Sequence, residues 1–230
     1  MLSIWAILPL TAAAQEEEIP SVSPTATYTT EKDGTQEVTS IGDGEAPLDV
    51  TFRANPKNMG DHTPSYEWHF RKQGEEGERM VRYEEDTDYR FVESGTFDVV
   101  LFVTLTDTGE QLDSVTITVA ISESKLEFPN AFSPNGDDHN DIYKAKDGYR
   151  SIVEFHAYIF NRWGQKLFDW TDPSQGWDGT YKGHDVKDGV YFVLVKAKGA
   201  DGRVYNIRKD VNLLRGYTET NQGSTDGTNP

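Results

Sequence analysis

Apolar and polar residues alternate with a period of two along most of this chain, and that periodicity restricts it to half-buried strands. In "APLDVTFRA", Leu48, Val50, Phe52 and Ala54 fall on one face, and Asp49, Thr51 and Arg53 on the other. "YEWHF" sets Tyr66, Trp68 and Phe70 against Glu67 and His69, and "VTITVAI" sets Val115, Ile117, Val119 and Ile121 against Thr116 and Thr118. Further on, "IVEFHAYIF" sets Val153, Phe155, Ala157 and Ile159 against Glu154, His156 and Tyr158. "TFDVVLFVTL" is apolar on both faces, the pattern of a central strand. No window before residue 125 shows helical periodicity. Pro56, "QGEEGE", Gly95 and "DTGEQ" separate the runs, and Asp178-Gly179, Asp188-Gly189 and Ala200-Asp201-Gly202 supply turns. The expected fold class is all-β.

The 230 residues suit two small domains, and the breakers place them at 41–124 and 125–216, each large enough for one core. A formal charge of −17 argues against nucleic acid or an anionic membrane as partner, because both require a basic footprint. With no cysteine, the chain has no disulfide, zinc–thiolate site or cysteine nucleophile. "MLSIWAILPLTAAAQ" pairs a short apolar run with Ala12-Ala13-Ala14, so residues 1–14 read as a signal peptide cleaved after Ala14. No Lys or Arg precedes that run, a gap that a start upstream of Met1 would fill. Nothing later in the chain reads as a transmembrane segment. Residues 15–40, rich in Ser, Thr, Glu and Pro, read as a linker or a first strand, and 217–230 as a disordered tail.

"PLDVTF", "YEWHF" and "FVESGTFDVVLFVT" follow one another in an order that resembles the PKD-type immunoglobulin-like module of extracellular proteins, over about residues 40–121. Trp68 would be its inward anchor and Gly95 the turn before its longest strand. Arg71-Lys72-Gln73-Gly74 and the acidic insertion "EEGERMVRYEED" stand where that family has a Gly-Asp-Gly turn.

The second half carries "FPNAFSPNGDDHND", "IFNRWGQKLFD", "GWDGTYKGHDVKDGVYFVLVKA" and "VNLLR" in one order. It resembles the gliding-motility-associated C-terminal domain of Bacteroidota, the type B sorting domain of type IX secretion. The layout is also similar to the Ig-like domain of flagellar hook-capping proteins. The matching positions are Pro129, Asn130, Phe132, Pro134, Asn135, Gly136, Asp137, Asn140 and Asp141, then Asn161, Arg162, Trp163 and Gly164, then Trp177, Asp178, Gly179, Gly189 and Tyr191. Asp138 stands where the family has a second Gly, and fifteen residues follow Arg215 where the family ends. The resemblances together imply two immunoglobulin-like β-sandwich domains in tandem after the signal peptide. They also imply an exported, outer-membrane or cell-surface protein with outer-membrane secretion machinery or envelope proteins as partners.

Asn135, Asp137, Asp138, Asn140 and Asp141 place five oxygen-bearing side chains within seven positions, as a Ca2+ site would. They lack the EF-hand order, and Asx-turn corners use the same residues, so the corner reading is favoured over calcium. His62, His69, His139, His156 and His184 sit in unrelated segments, no hydrolase motif is present, and Glu84-Glu85 lies in a charged insertion. No enzyme is expected. Trp163, Trp170 and Trp177 could stack on a glycan, but core or turn anchors with N–H groups on backbone carbonyls are the expected role. The leading reading is a non-enzymatic exported protein whose C-terminal module directs secretion or surface attachment and whose first module is a spacer or interaction domain. The alternatives are a calcium-dependent or glycan-binding adhesin at the surface or in the periplasm, and a component of a larger envelope assembly.

Overall fold

The computed structural model describes residues 19–216; residues 1–14, expected to be a signal peptide, and the expected tail at 217–230 lie outside them. Every regular element among the described residues is a strand, organised around two separate hydrophobic cores. No helix there is long and apolar enough to cross a membrane.

Two sheets enclose the first core. One runs Gly34–Val38, Thr25–Thr30, Leu48–Arg53, Asp86–Phe91, all antiparallel. Thr25–Thr30 and Gly34–Val38 lie where the sequence left a choice between linker and first strand. The facing sheet runs Ile41–Gly44, Val115–Ile121, Gly95–Leu105, Pro64–Lys72, Met80–Arg82, its first pair parallel. The strand read as apolar on both faces, Gly95–Leu105, is central as expected, yet its burial alternates: Phe97, Val99, Leu101, Val103 and Leu105 are buried, and the residues between them half-buried. Its outer face is half covered, with Phe102 edge-on to His69 at 4.9 Å between ring centroids. Phe52 sits at the centre, within 5.9 Å of Trp68 and 5.6 Å of Phe70. Buried Trp68 donates its Nε1–H to the carbonyls of Glu84 and Glu85 at 3.1 and 3.2 Å. The acidic insertion thus supplies an edge strand and the main-chain acceptors for the core indole.

The second core lies against one five-stranded sheet, in the order Ala131–Phe132, Val204–Leu213, Gly189–Gly199, Ile152–Phe160, Lys166–Trp170. Its facing layer is mostly irregular: Leu126, Phe128, Tyr143, Ala145 and Trp177 fill it, with the short hairpin Thr180–Tyr181 and His184–Asp185 beside them. Tyr143 and Trp177 exchange both backbone hydrogen bonds, at 2.8 and 3.0 Å. Gly176 is required there, since a Cβ would lie 2.3 Å from the Tyr143 carbonyl oxygen.

The two cores meet at Ser151 and at the turn after Gly189–Gly199. Ser151 is 2% exposed with φ +49°, and its hydroxyl lies 2.9 Å from that of Ser122 and accepts from the Ala46 N–H at 3.3 Å. Ala200 packs into the first core, donates its N–H to the Ser151 carbonyl (2.9 Å) and accepts from the Ser94 N–H (3.0 Å). A bulge in Ile152–Phe160 turns Ile152 to the second core and Val153 to the first. The uninterrupted alternation expected for "IVEFHAYIF" put Val153 on the same face as Phe155. The extra residue of the bulge breaks that parity.

Beside this junction, Arg79 and Lys72 hold Glu93 at 2.9 and 3.1 Å, and their hydrogen bonds bring its carboxyl down to about 2 from an ordinary 4.5. A lowered folded-state value stabilises fully above pH 4.5, and that stability is lost as pH falls toward 2. Because Glu93 is 46% exposed, solvent screening reduces the effect to about 1 kcal/mol. Urea titrations from pH 6 to 2.5 should show Glu93→Gln less stable than the parent at pH 6 and converging with it in acid.

Candidate recognition surface of the C-terminal module

The loop after Phe132 is a corner built on one carboxylate. Asp141 Oδ1 accepts from the backbone N–H groups of Asn135 and Gly136, both at 2.8 Å, and Oδ2 accepts from Asp138 N–H at 2.9 Å. Asp137 accepts from His139 N–H and from the Asn135 amide, which hold its carboxyl below the usual range. Gly136, Asp138 and Asn140 all adopt left-handed backbone, at φ +80°, +65° and +53°. Short Asp tolerates that region at position 138, and Gly, which the resemblance leads one to expect there, enters it freely. The carboxylates of Asp137 and Asp141 point at the loop's own donors. Among the described residues no three His, Asp or Glu side chains are gathered as a metal site requires. The side chains of Asn135, Asp137 and Asp141 thus close the corner with hydrogen bonds inside the loop, while Asp138 and Asn140 supply its left-handed backbone.

Other motif positions also spend their polar atoms on backbone. Asp178 Oδ1 accepts from Thr180 N–H and Oγ1–H, Tyr191 donates to the Lys187 carbonyl at 2.6 Å, and Trp177 donates to the Thr180 carbonyl at 2.8 Å. Pro129 and Asn130 present carbonyls to Tyr143 Oη–H and Asn212 N–H. Phe132, Trp177 and Tyr191 pack in sequence, with centroid separations of 5.4 and 5.0 Å. Pro134 lies against the turn at Gly179, and Gly189 opens its strand at φ +148°. Arg215, which site assignment from sequence passed over although "VNLLR" was noted as a motif, donates to the carbonyls of Gly179 and Val186. Its position after the last strand was the only signal.

Asn161, Arg162, Trp163 and Gly164 differ. Asn161 Oδ1 accepts from the N–H groups of Trp163 and Gln165, both at 3.0 Å, and Gly164 closes the turn at φ +78°. This rigid frame holds Trp163 out at the hairpin tip, 80% exposed, with the Arg162 guanidinium 5.2 Å from its ring. The core-or-anchor expectation fails for Trp163: a two-residue excursion at a tight turn leaves its ring no core to reach. It holds for Trp177. Trp170 is buried as expected, but its Nε1–H has no hydrogen-bond partner, because packing against Phe155 and Phe168 surrounds it with rings.

The outer face of the sheet leads up to this tip. Phe192, 43% exposed, lies opposite Phe160 with Val190 beside it, and a shallow depression of about 360 Å³ is bounded by Phe160, Phe192, Leu194, Arg208 and Asp210. Across the same face, His156 bridges the Tyr158 hydroxyl (2.9 Å) and Asp169 (3.1 Å), which Lys166 also pairs. Charge is unevenly divided. Residues 1–124 hold twenty-four acids and eight bases, whereas residues 125–216 hold thirteen acids and fourteen bases. The exposed aromatic face therefore belongs to the electrically neutral part of the chain.

Residues 126–209 match the CHU_C Type IX secretion signal domain. The match lies wholly within the C-terminal module, and the corner, the Arg162–Trp163 tip and the Trp177 turn all fall among the matched residues. No curated protein matches the chain. Among solved structures, it is similar to SGBP-B of the Bacteroides ovatus mixed-linkage glucan utilization locus, in complex with a mixed-linkage heptasaccharide. Identity is 13% and the TM-score 0.25, over 76% of this chain and 42% of that one. It is also similar to three N-terminal domains of the bacteriophage RB49 outer capsid protein Hoc (16%, TM-score 0.33, covering 85% and 59%). A third is Drosophila N-cadherin EC1-4 (12%, TM-score 0.28, covering 86% and 50%). The chain spans about half the length of these structures, and at such scores they bear on neither partner nor ligand.

The corner makes two quantitative claims. Asp141→Asn turns one of the two accepting oxygens into an NH2 donor that faces a backbone N–H and removes the charge from the bonds that remain, and should cost about 2 kcal/mol in urea unfolding. Asp138→Gly should change stability by less than about 0.5 kcal/mol, whereas Asp138→Val should cost about 1–2 kcal/mol, because a β-branched residue resists positive φ.

Proposed function

We propose that this chain is a non-enzymatic exported protein whose C-terminal module directs its secretion or surface attachment, with the first, PKD-like module as spacer or interaction domain. The observation that carries the reading is the match of residues 126–209 to a secretion signal domain, among whose motif aromatics here Phe132, Trp177 and Tyr191 are buried and Trp163 is exposed. Most motif residues build the module's shape, and this pair presents an aromatic–cation face to a partner, for which the outer-membrane secretion machinery is the candidate. Export begins at the signal peptide, with cleavage after Ala14; N-terminal sequencing of the mature protein should begin at Gln15.

Deleting residues 126–216 from the full chain should abolish surface delivery in cell fractionation, and unchanged delivery would overturn the reading. Trp163→Ala with Arg162→Ala should reduce delivery several-fold while leaving the unfolding midpoint within experimental error, since neither side chain is buried. The exposed indole also favours a second reading, glycan stacking. Titration with neutral oligosaccharides, read by Trp fluorescence and repeated on Trp163→Ala, separates the two.

A further inference from the structure

The C-terminal module reaches its neighbour through a narrow and specific joint. The turn at residues 199–202 enters the base of the first sandwich, where Ala200 is 7% exposed and counted among that core's own residues. Gly199 admits no side chain, since a Cβ would meet Ser124 Oγ at 2.0 Å. Ser124 in turn donates to Asp201 Oδ1 at 2.7 Å and lies 2.8 Å from the Tyr205 hydroxyl. On the other side, Ser151 is held in left-handed backbone by contacts to Ala46, Ser122 and Ala200, and Val153 packs on the first core.

Both strands rooted at this joint lead to the exposed tip. Ile152–Phe160 starts at Ser151 and ends at the Asn161–Gly164 turn, about 30 Å away at a strand's rise per residue. Gly189–Gly199 ends at the joint and carries Phe192 opposite Phe160 at its other end. Free of the first sandwich, the C-terminal module would expose Ala200 and Val153, leave the Ser151 hydroxyl and the Ala200 carbonyl without the Ala46, Ser122 and Ser94 groups they pair with, and lose the contacts that hold Ser151 at positive φ.

We propose that the folded first module holds the recognition strands of the C-terminal module in shape, so that an unfolded passenger loosens its own address. The coupling stands on the joint; its use as a control on delivery rests on the function proposed above. It makes the address a composite of two modules and gives the chain a means of displaying it only when the passenger is folded.

Hydrogen exchange on the purified full chain tests the coupling without reference to delivery. Leu101→Ala places a cavity in the first core, well away from the joint. It should accelerate exchange at least tenfold within residues 152–160 and 189–199 as well as within 95–105. If Leu101→Ala does not fold, Val103→Ala provides a smaller perturbation of the same strand. Adding Ala200→Glu, which puts a charge into the joint, should sever the transmission, so that the core substitution no longer alters residues 152–160. Faster exchange confined to the first module in the single variant would overturn the proposal, whatever deletion of residues 126–216 does to delivery.

Discussion

The C-terminal module has to satisfy its backbone without a complete second sheet, and most of its characteristic sequence answers that constraint. A buried N–H or carbonyl lacking a strand partner costs about as much as a lost hydrogen bond, so each irregular segment needs a local substitute. Asp141 serves three amides, Asn161 two, Asp178 one amide and one hydroxyl, and Arg215 two carbonyls. Tyr143 and Trp177 form a ladder of a single rung. Motifs that look like a collection of reactive acids and amides are thus the scaffolding of an irregular layer. Arg162 and Trp163 stand out because their side chains have no such duty.

Legibility from sequence followed the range of the interactions. Alternation is local, and it placed Trp68, Phe70, Ile117 and Val119 on the buried face of their strands, because in a two-layer sandwich the side-chain period alone decides the face. The corner at Asn135–Asp141 could also be read, since Asx geometry closes within a few residues. The joint could not. Ser151 and Gly199 are small residues in no pattern, Ala200 reads only as the start of a turn, and what makes all three necessary is the approach of segments about fifty to a hundred residues apart. The bulge at Ile152 was equally hidden, because a period-two pattern does not record where an extra residue enters the ladder. Trp163 was misplaced for a different reason: hydrophobicity predicts burial on average, and a tight turn overrides it.

The uneven charge gives the two modules different surfaces. Acids crowd the first sandwich, where several are tied into pairs such as Arg79 with Glu75 and Glu93, and Arg71 and His69 with Glu78. The neutral second module leaves Phe192 and Val190 open to solvent beside Arg208. Hydration of the whole chain can therefore rest on the first module, which leaves the second free to keep an apolar face uncovered.

The hairpin tip also has an optical consequence. Trp68, Trp170 and Trp177 are each at most 4% exposed, whereas Trp163 is 80% exposed. An aqueous collisional quencher such as iodide would therefore reach one indole of the described chain and leave three shielded, with Arg162 drawing the anion toward it. The molecule carries an intrinsic fluorophore at the tip proposed above to meet a partner, so engagement of that tip can be followed as a loss of quenching, without a label.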